Sequence, residues 1–297
     1  MAFIAEKYIN PYTDFGFKKI FGTEANKDLL IDFLNQLITE HGKIEDITYM
    51  SPEQLGRSKF DRKAIYDIKC KTDSGAVFIV EMQRAYQNYF KDRSVYYSTF
   101  PIQQQAQMGK WDYKLAPIYF VGILDFVFDD KIDFKHDVKL YDVVTKEVFY
   151  DNLTYIYLEM PKFNKTESEL ETLFDKWLYV LKQLPRFQER PEILREKIFK
   201  KLFNLAEIAK FTTIETEAYE DSLKVYRDNT NVMDTAMAEG KALGLAEGKA
   251  EGKAEGKAEG KAEGILETAK NLVELGVSVE IIAKSTKLSV EEIEKLK

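Results

Sequence analysis

Residues 64–84 read AIYDIKCKTDSGAVFIVEMQR, and they hold the side chains with the clearest chemical potential. Two strand-like runs, 64–71 and 76–83, flank Thr72-Asp73-Ser74-Gly75. That is a hairpin signal, with Gly75 suited to a left-handed turn position. A three-residue loop centred on Ser74 places Asp67 opposite Glu81. Opposed residues on neighbouring strands share a face, with Cβ atoms about 4.5–5.5 Å apart. Gln83, two residues beyond Glu81, shares that face. The other face sets Tyr66, Ile68 and Cys70 against Met82, Val80 and Phe78, and suits a core.

Two carboxylates so close repel each other when both are ionised. A shared proton relieves this, and so does a hard divalent cation. An all-oxygen donor set suits Mg²⁺, Mn²⁺ or Ca²⁺ and disfavours Zn²⁺, which prefers nitrogen or sulfur. A metal held by Asp67, Glu81 and a backbone carbonyl at Met82 can activate water and stabilise charge on a phosphodiester. Gln83 is placed to orient that water. The same spacing also fits a solvated acidic pair bridged by a Lys or Arg.

The elements that must position this hairpin follow from the apolar spacing. Three- and four-residue spacing from Asp14 to Ile38 predicts helix, with a break at Gly22. Residues 86–109, rich in Tyr and Gln, predict a further helix, and 117–127 a buried strand. Residues 138–144 and 153–160 read as strands, and 168–228 as helices punctuated by Pro185 and Pro191. This order implies an α/β core followed by an α-helical module. From Gly240 to Gly264 a glycine recurs every fourth residue in an AEGK array. Glu faces Glu and Lys faces Lys at i,i+4, which gives no salt-bridge support. Both a flexible spacer and a glycine-lined helix fit that pattern. Residues 265–297 predict three short helices resembling a helix-turn-helix. The acidic start of the last, SVEEIEKLK, favours protein contact or self-association over base reading. The expected divisions are 1–165, 166–236, 237–264 and 265–297.

Composition bounds the function. The chain has 297 residues, 45% hydrophobic and 13% aromatic, which is ample for a core and unlike a disordered chain. A single cysteine, Cys70, excludes an internal disulfide framework and fits a reducing compartment. His41 and His136 stand far apart with no visible partners, so no catalytic role is expected of them. The longest apolar run, Leu115–Phe128, contains Asp125 and is too short to span a bilayer. With no basic leader at the start, a cytoplasmic protein without a membrane partner is expected. Net charge is −7, against a whole-chain polyanion binder. Residues 50–114, however, hold 11 Lys+Arg against 7 Asp+Glu, a local excess of +4 where nucleic-acid affinity would concentrate.

Asp at a strand end, followed across a hairpin by Glu-x-Lys, is the pattern of the PD-(D/E)XK nuclease superfamily. Here it stands as Asp67 and then Glu81-Met82-Gln83. More specifically, the chain resembles the Rpn family of recombination-promoting nucleases, also described as PD-(D/E)XK nuclease family transposases. The stretches that carry the resemblance are NPYTDFGFKKIFG, YDIKCKTDSG, FIVEMQR, FKDRSVYYSTFPIQQQ, YKLAPIYFVGILDF and YIYLEMPKF. The resemblance implies a restriction-endonuclease-like core, with a mixed sheet flanked by helices, cleaving DNA with a divalent metal. Carried over, Asp67 and Glu81 become metal ligands and Gln83 takes the lysine's place. A neutral amide supplies no positive charge and no base. Lys69 and Lys63 are the neighbouring stand-ins, although a strand-end lysine is usually only solvated. Asp14 becomes a further acid at the site, its plainer role being a helix N-cap. Arg84, Arg93 and Gln103 are candidate DNA contacts. Tyr96 and Tyr97 either join them or pack on the sheet.

Overall fold

The computed structural model describes residues 6–39, 42–54, 64–106 and 112–296. The chain falls into two compact units, residues up to 229 and from 230 onward.

In the first unit, helices α1 (Asp14–Phe21) and α2 (Lys27–Leu37) lie on either side of Gly22, as the spacing predicts. Strands β1 (Ile47–Tyr49), β2 (Glu53–Gln54) and β3 (Ala64–Ile65) precede the hairpin of β4 (Ile68–Thr72) and β5 (Val77–Gln83). Helix α3 (Phe90–Gln105) leads to β6 (Ile118–Leu124), β7 (Lys135–Tyr141) and β8 (Val148–Glu159). Helices α4 (Leu173–Gln183) and α5 (Lys197–Ala206) follow. The six-stranded sheet runs β1-β4-β5-β6-β8-β7. Its middle is parallel, β5 with β6 and β6 with β8, and its outer pairings are antiparallel. Parallel strands are covered on both faces, and β6 accordingly has all seven residues buried.

Two separate apolar layers result. One packs Ile68, Cys70, Phe78 and Val80 with α1, α2, α4 and α5 around Trp177. The other packs Ile79, Phe120, Tyr155 and Tyr157 with Phe90 of α3. Ser94 and Ser98, one turn apart on α3, hydrogen-bond the hydroxyls of Tyr157 (2.6 Å) and Tyr155 (2.7 Å). These small residues bring the helix close to the sheet. Gly122 serves the same layer, since a Cβ there would meet the Tyr157 ring at 3.0 Å.

The hairpin register is the expected one. Ile68 pairs with Val80, Lys69 with Ile79, Cys70 with Phe78 and Lys71 with Val77. Gly75 turns the loop at φ +88. One expectation changes. Tyr66 belongs to the α3 layer rather than to the layer of Ile68 and Cys70. The ladder starts only at Ile68, and a bend at Asp67 turns the preceding residue over.

Helix α6 (Thr213–Glu274) contains the whole AEGK array. Its array glycines have open space where a Cβ would be. Ala, Glu and Lys are good helix formers and supply three of every four positions. In the second unit, α7 (Val279–Thr286) and α8 (Val290–Glu294) close a small core of Ala269, Ile282 and Ile293. Gly276 at φ +75 ends α6, and Ser289 with Glu292 forms a capping box.

Candidate active site

The site grows from the end of the β4–β5 hairpin. There Asp67 and Glu81 continue the pairing through their side chains. The Asp67 N–H donates to Glu81 Oε1 at 3.2 Å, and the Met82 N–H donates to Asp67 Oδ2 at 2.7 Å. Each carboxylate thus holds the other strand's backbone where the ladder ends. Asp67 Oδ1 and Glu81 Oε2 are left without hydrogen-bond partners among the described residues.

Both carboxyls sit in an environment hostile to charge. Glu81 is 8% exposed. Burial, and then the charge of Asp67, holds it well above the usual carboxylate range. Burial also raises Asp67, opposed by the Met82 hydrogen bond and reinforced by the charge of Asp14. Such a pair calls for a cation. A buried and a half-buried carboxylate with free oxygens, and no direct ammonium or guanidinium contact among the described residues, fit a hard divalent metal.

The other predicted residues fall around this pair. Asp14 is near enough to Asp67 to raise its pKa, but its own carboxylate bonds Lys18 at 2.8 Å. The helix cap is Thr13, whose side chain accepts from the Gly16 N–H, so capping does not account for Asp14. Gln83 Oε1 accepts from the Arg93 guanidinium, and Gln83 Nε2 donates to the Ala85 carbonyl at 3.3 Å. Arg93 also donates to Gln87 Oε1 at 2.6 Å and lies over the Tyr97 ring. Arg84 feels Asp14, Asp67 and Asp125 and stacks on Tyr226. Met82 contributes its amide to Asp67 as described.

Gln103 is exposed, on the last turn of α3. Its neighbour Gln104 accepts instead from Lys69 Nζ, at 2.8 Å. Lys69 itself is not the solvated lysine expected. It is 2% exposed under α3, and burial lowers its pKa. The sheet face that carries it is covered, which a hairpin alone does not reveal. Tyr97 meets Tyr66 edge-on, whereas Tyr96 is exposed. His41 and Lys63 lie outside the described residues.

Lys18 and Asp125 were not foreseen at the site. Lys18 had a signal, one turn after Asp14. Asp125 sits just past β6, with its N–H on the Gln83 carbonyl at 2.9 Å. Burial pushes the Asp125 carboxyl up to about 6, against a Tyr226 hydrogen bond and the charges of Lys182 and Arg84. Its folded pKa exceeds the unfolded one, so the folded state binds this proton more tightly. Stability from this group is present below about pH 4 and is lost as pH rises to about 6. Asp125→Asn is therefore expected to flatten that slope and to stabilise the protein at pH 7 by about 2 kcal/mol. Urea melts between pH 4 and 7 check it. An unchanged slope would refute it.

A second cluster corrects the reading of His136. Asp129, His136 and Glu159 bring one ligand atom each within 4.8 Å of one another, and Asp14, Asp67 and Glu81 do not. His136 Nε2 lies 3.0 Å from Glu159 Oε2. Lys162 Nζ, however, contacts Glu159 directly and reaches Asp129 Oδ1 at 2.9 Å. Glu159 is fully buried. Burial works against its charge, but Lys162, the Phe128 N–H and His136 together hold its pKa down. An internal cation already sits here, so an ion-pair network linking β7, β8 and the turn after β8 accounts for the group. The Asp67–Glu81 pair is the better metal candidate because, among the described residues, no such cation touches it.

A family model described as PD-(D/E)XK nuclease family transposase matches residues 11–236. The chain belongs to this family. No curated protein and no solved structure matches the chain significantly. The matched span includes the whole six-stranded sheet and every residue of the carboxylate site. For a PD-(D/E)XK nuclease, the mixed sheet flanked by helices is the fold expected above. Nucleases of this kind usually use divalent metals. Among the described residues, no helix is long and apolar enough to cross a membrane.

Proposed function

We propose that this PD-(D/E)XK family member is a divalent-metal-dependent DNA endonuclease of low sequence specificity, linked to recombination or mobile elements. The observation that carries the reading is the reciprocal pairing of Asp67 and Glu81 at the end of the hairpin. The ligands would be Asp67, Glu81 and the Met82 carbonyl, with Mg²⁺, Mn²⁺ or Ca²⁺ as the ion. The chemistry such an ion supplies is Lewis acidity toward a phosphoryl oxygen and acidification of water. The chain's own groups do the rest. Burial of Glu81 limits solvent access to its side of the ligand pair. Lys18, Arg84 and Arg93 lie close enough to influence the carboxylates and to receive phosphates. Low specificity follows because these contacts address the backbone, which carries no sequence information directly.

Nicking of supercoiled plasmid tests the reading. The wild type with Mg²⁺ or Mn²⁺ is expected to nick, and Asp67→Ala is expected to be silent. Equal nicking by both would sink it. Gln83 supports a second reading, a catalytically weak DNA-binding protein on the same fold. Metal-independent DNA retention by the wild type without nicking would favour that one. We also propose that the second unit, with its small core, is a protein-contact segment and a means of self-association. A reducing, cytoplasmic setting is proposed with Cys70 free and buried.

A further inference from the structure

Gln83 stands where the nuclease motif has its cation, so the positive charge for a phosphate must come from elsewhere in the site. Among the described residues, four cations lie near enough to compare. Lys18 is ion-paired with Asp14 at 2.8 Å. Arg84 feels the charges of three carboxylates, those of Asp14, Asp67 and Asp125, and lies over the Tyr226 ring. Lys69 is buried beneath α3 and donates to Gln104. Arg93 is neither ion-paired like Lys18 nor fully buried like Lys69: it is half-buried, and among the described residues its guanidinium donates to neutral amides, the Oε1 atoms of Gln83 and Gln87. Its charge still reaches the site, since it lowers the pKa of Glu81. It also stands in the first turn of α3, at the end of the helix whose dipole favours an anion.

We propose that Arg93 is a catalytic residue that supplies the charge missing from the Glu-x-Gln triplet, and that Gln83 is the positioning residue that holds it. This rests on the nuclease reading given above. Gln83 projects from β5 beside Glu81, and its amide oxygen faces the guanidinium. The amide therefore passes the lysine's place in the motif to an arginine ten residues on. When DNA binds, the guanidinium donates to a non-bridging oxygen of the scissile phosphate as charge builds there. Arg93 transfers no proton, because a guanidinium stays protonated at neutral pH. Its planar fork matches a phosphate better than an ammonium does. Gln87 fixes the other arm, so the group is oriented before substrate arrives.

The test uses the full chain and a five-member set: wild type, Arg93→Ala, Arg93→Lys, Gln83→Lys and the Gln83→Lys/Arg93→Ala pair. Arg93→Ala is expected to slow Mn²⁺-dependent plasmid nicking about 100-fold, with DNA affinity in Ca²⁺ falling less than about 5-fold. Arg93→Lys should recover about a tenth of the wild-type rate, since charge returns without the fork. In the Gln83→Lys background, removing Arg93 should cost less than about 5-fold, because the cation is then supplied directly. A calorimetric Mn²⁺ titration gives a readout independent of turnover. Arg93→Ala should bind Mn²⁺ several-fold more tightly, because a repelling charge near Glu81 is gone. The assignment is overturned if Arg93→Ala costs the same in both backgrounds, if lost DNA affinity explains the lost rate, or if Mn²⁺ affinity is unchanged or weaker. Should Arg93→Ala lose its native melting transition, Arg93→Gln takes its place in every arm. If wild type and Glu81→Gln nick equally, the nuclease reading fails. If Glu81→Gln is silent while Arg93→Ala keeps the wild-type rate, only the Arg93 assignment fails.

Discussion

Replacing Glu81 with glutamine is expected to abolish metal-dependent nicking, by about 10³-fold or more, while making the metal-free protein harder to unfold. Both effects have one cause. Glu81 is 8% exposed and faces a second carboxylate. Without a metal, the two charges are held together in a poorly solvating place. The amide keeps an oxygen for the Asp67 N–H and removes the charge. A higher unfolding free energy of the metal-free protein is expected at neutral pH. The same change removes a ligand, so Mg²⁺ should raise the melting temperature of the wild type and leave Glu81→Gln unmoved. Thermal melts with and without Mg²⁺, alongside the nicking assay, check it. A variant that is both inactive and less stable would show Glu81 to be a structural residue instead. Sites that sacrifice stability for chemistry behave in the predicted way.

The second large effect lies far from the carboxylates. Trp177 is fully buried on α4, and its ring meets Phe21, Phe33 and Phe199. Its indole N–H donates to Asp32 Oδ1 at 2.6 Å, and burial raises the Asp32 pKa. Trp177→Ala should cost about 3–5 kcal/mol for the packing. A further cost of about 1–3 kcal/mol comes from the stranded Asp32. Trp177→Phe keeps most of the ring contacts and should cost only the second part. Phe21 ends α1, the helix that opens with Asp14. The alanine variant should therefore also weaken nicking at temperatures where it remains folded. Chemical denaturation gives the stability, and a cost below about 2 kcal/mol for Trp177→Ala would refute the packing account.

Much of the site was legible in the primary structure, and for a local reason. A two-strand ribbon has a period of two, and a glycine-closed loop sets its register. Asp67 facing Glu81 follows from Thr72-Asp73-Ser74-Gly75 alone. The break at Gly22 is likewise local. Both depend on backbone conformation or hydrogen bonds within a few residues. The α/β order followed from apolar periodicity, which reports burial without naming the partner.

What only the tertiary structure decided concerns which faces meet. Lys69 reads as a solvated strand-end lysine until α3 covers its face of the sheet. Tyr66 changes layers because the chain bends at Asp67, and hairpin alternation does not foresee a bend. His136 finds Glu159 and Asp129 only when β7 pairs with β8 and the following turn brings in Lys162. Arg93 meets Gln83 because α3 begins beside the end of β5. Residue type and spacing determine what a short segment can do. Which cation reaches which amide or carboxylate depends on long-range packing, because charges separated along the chain interact only after the fold has brought them together and removed the water between them.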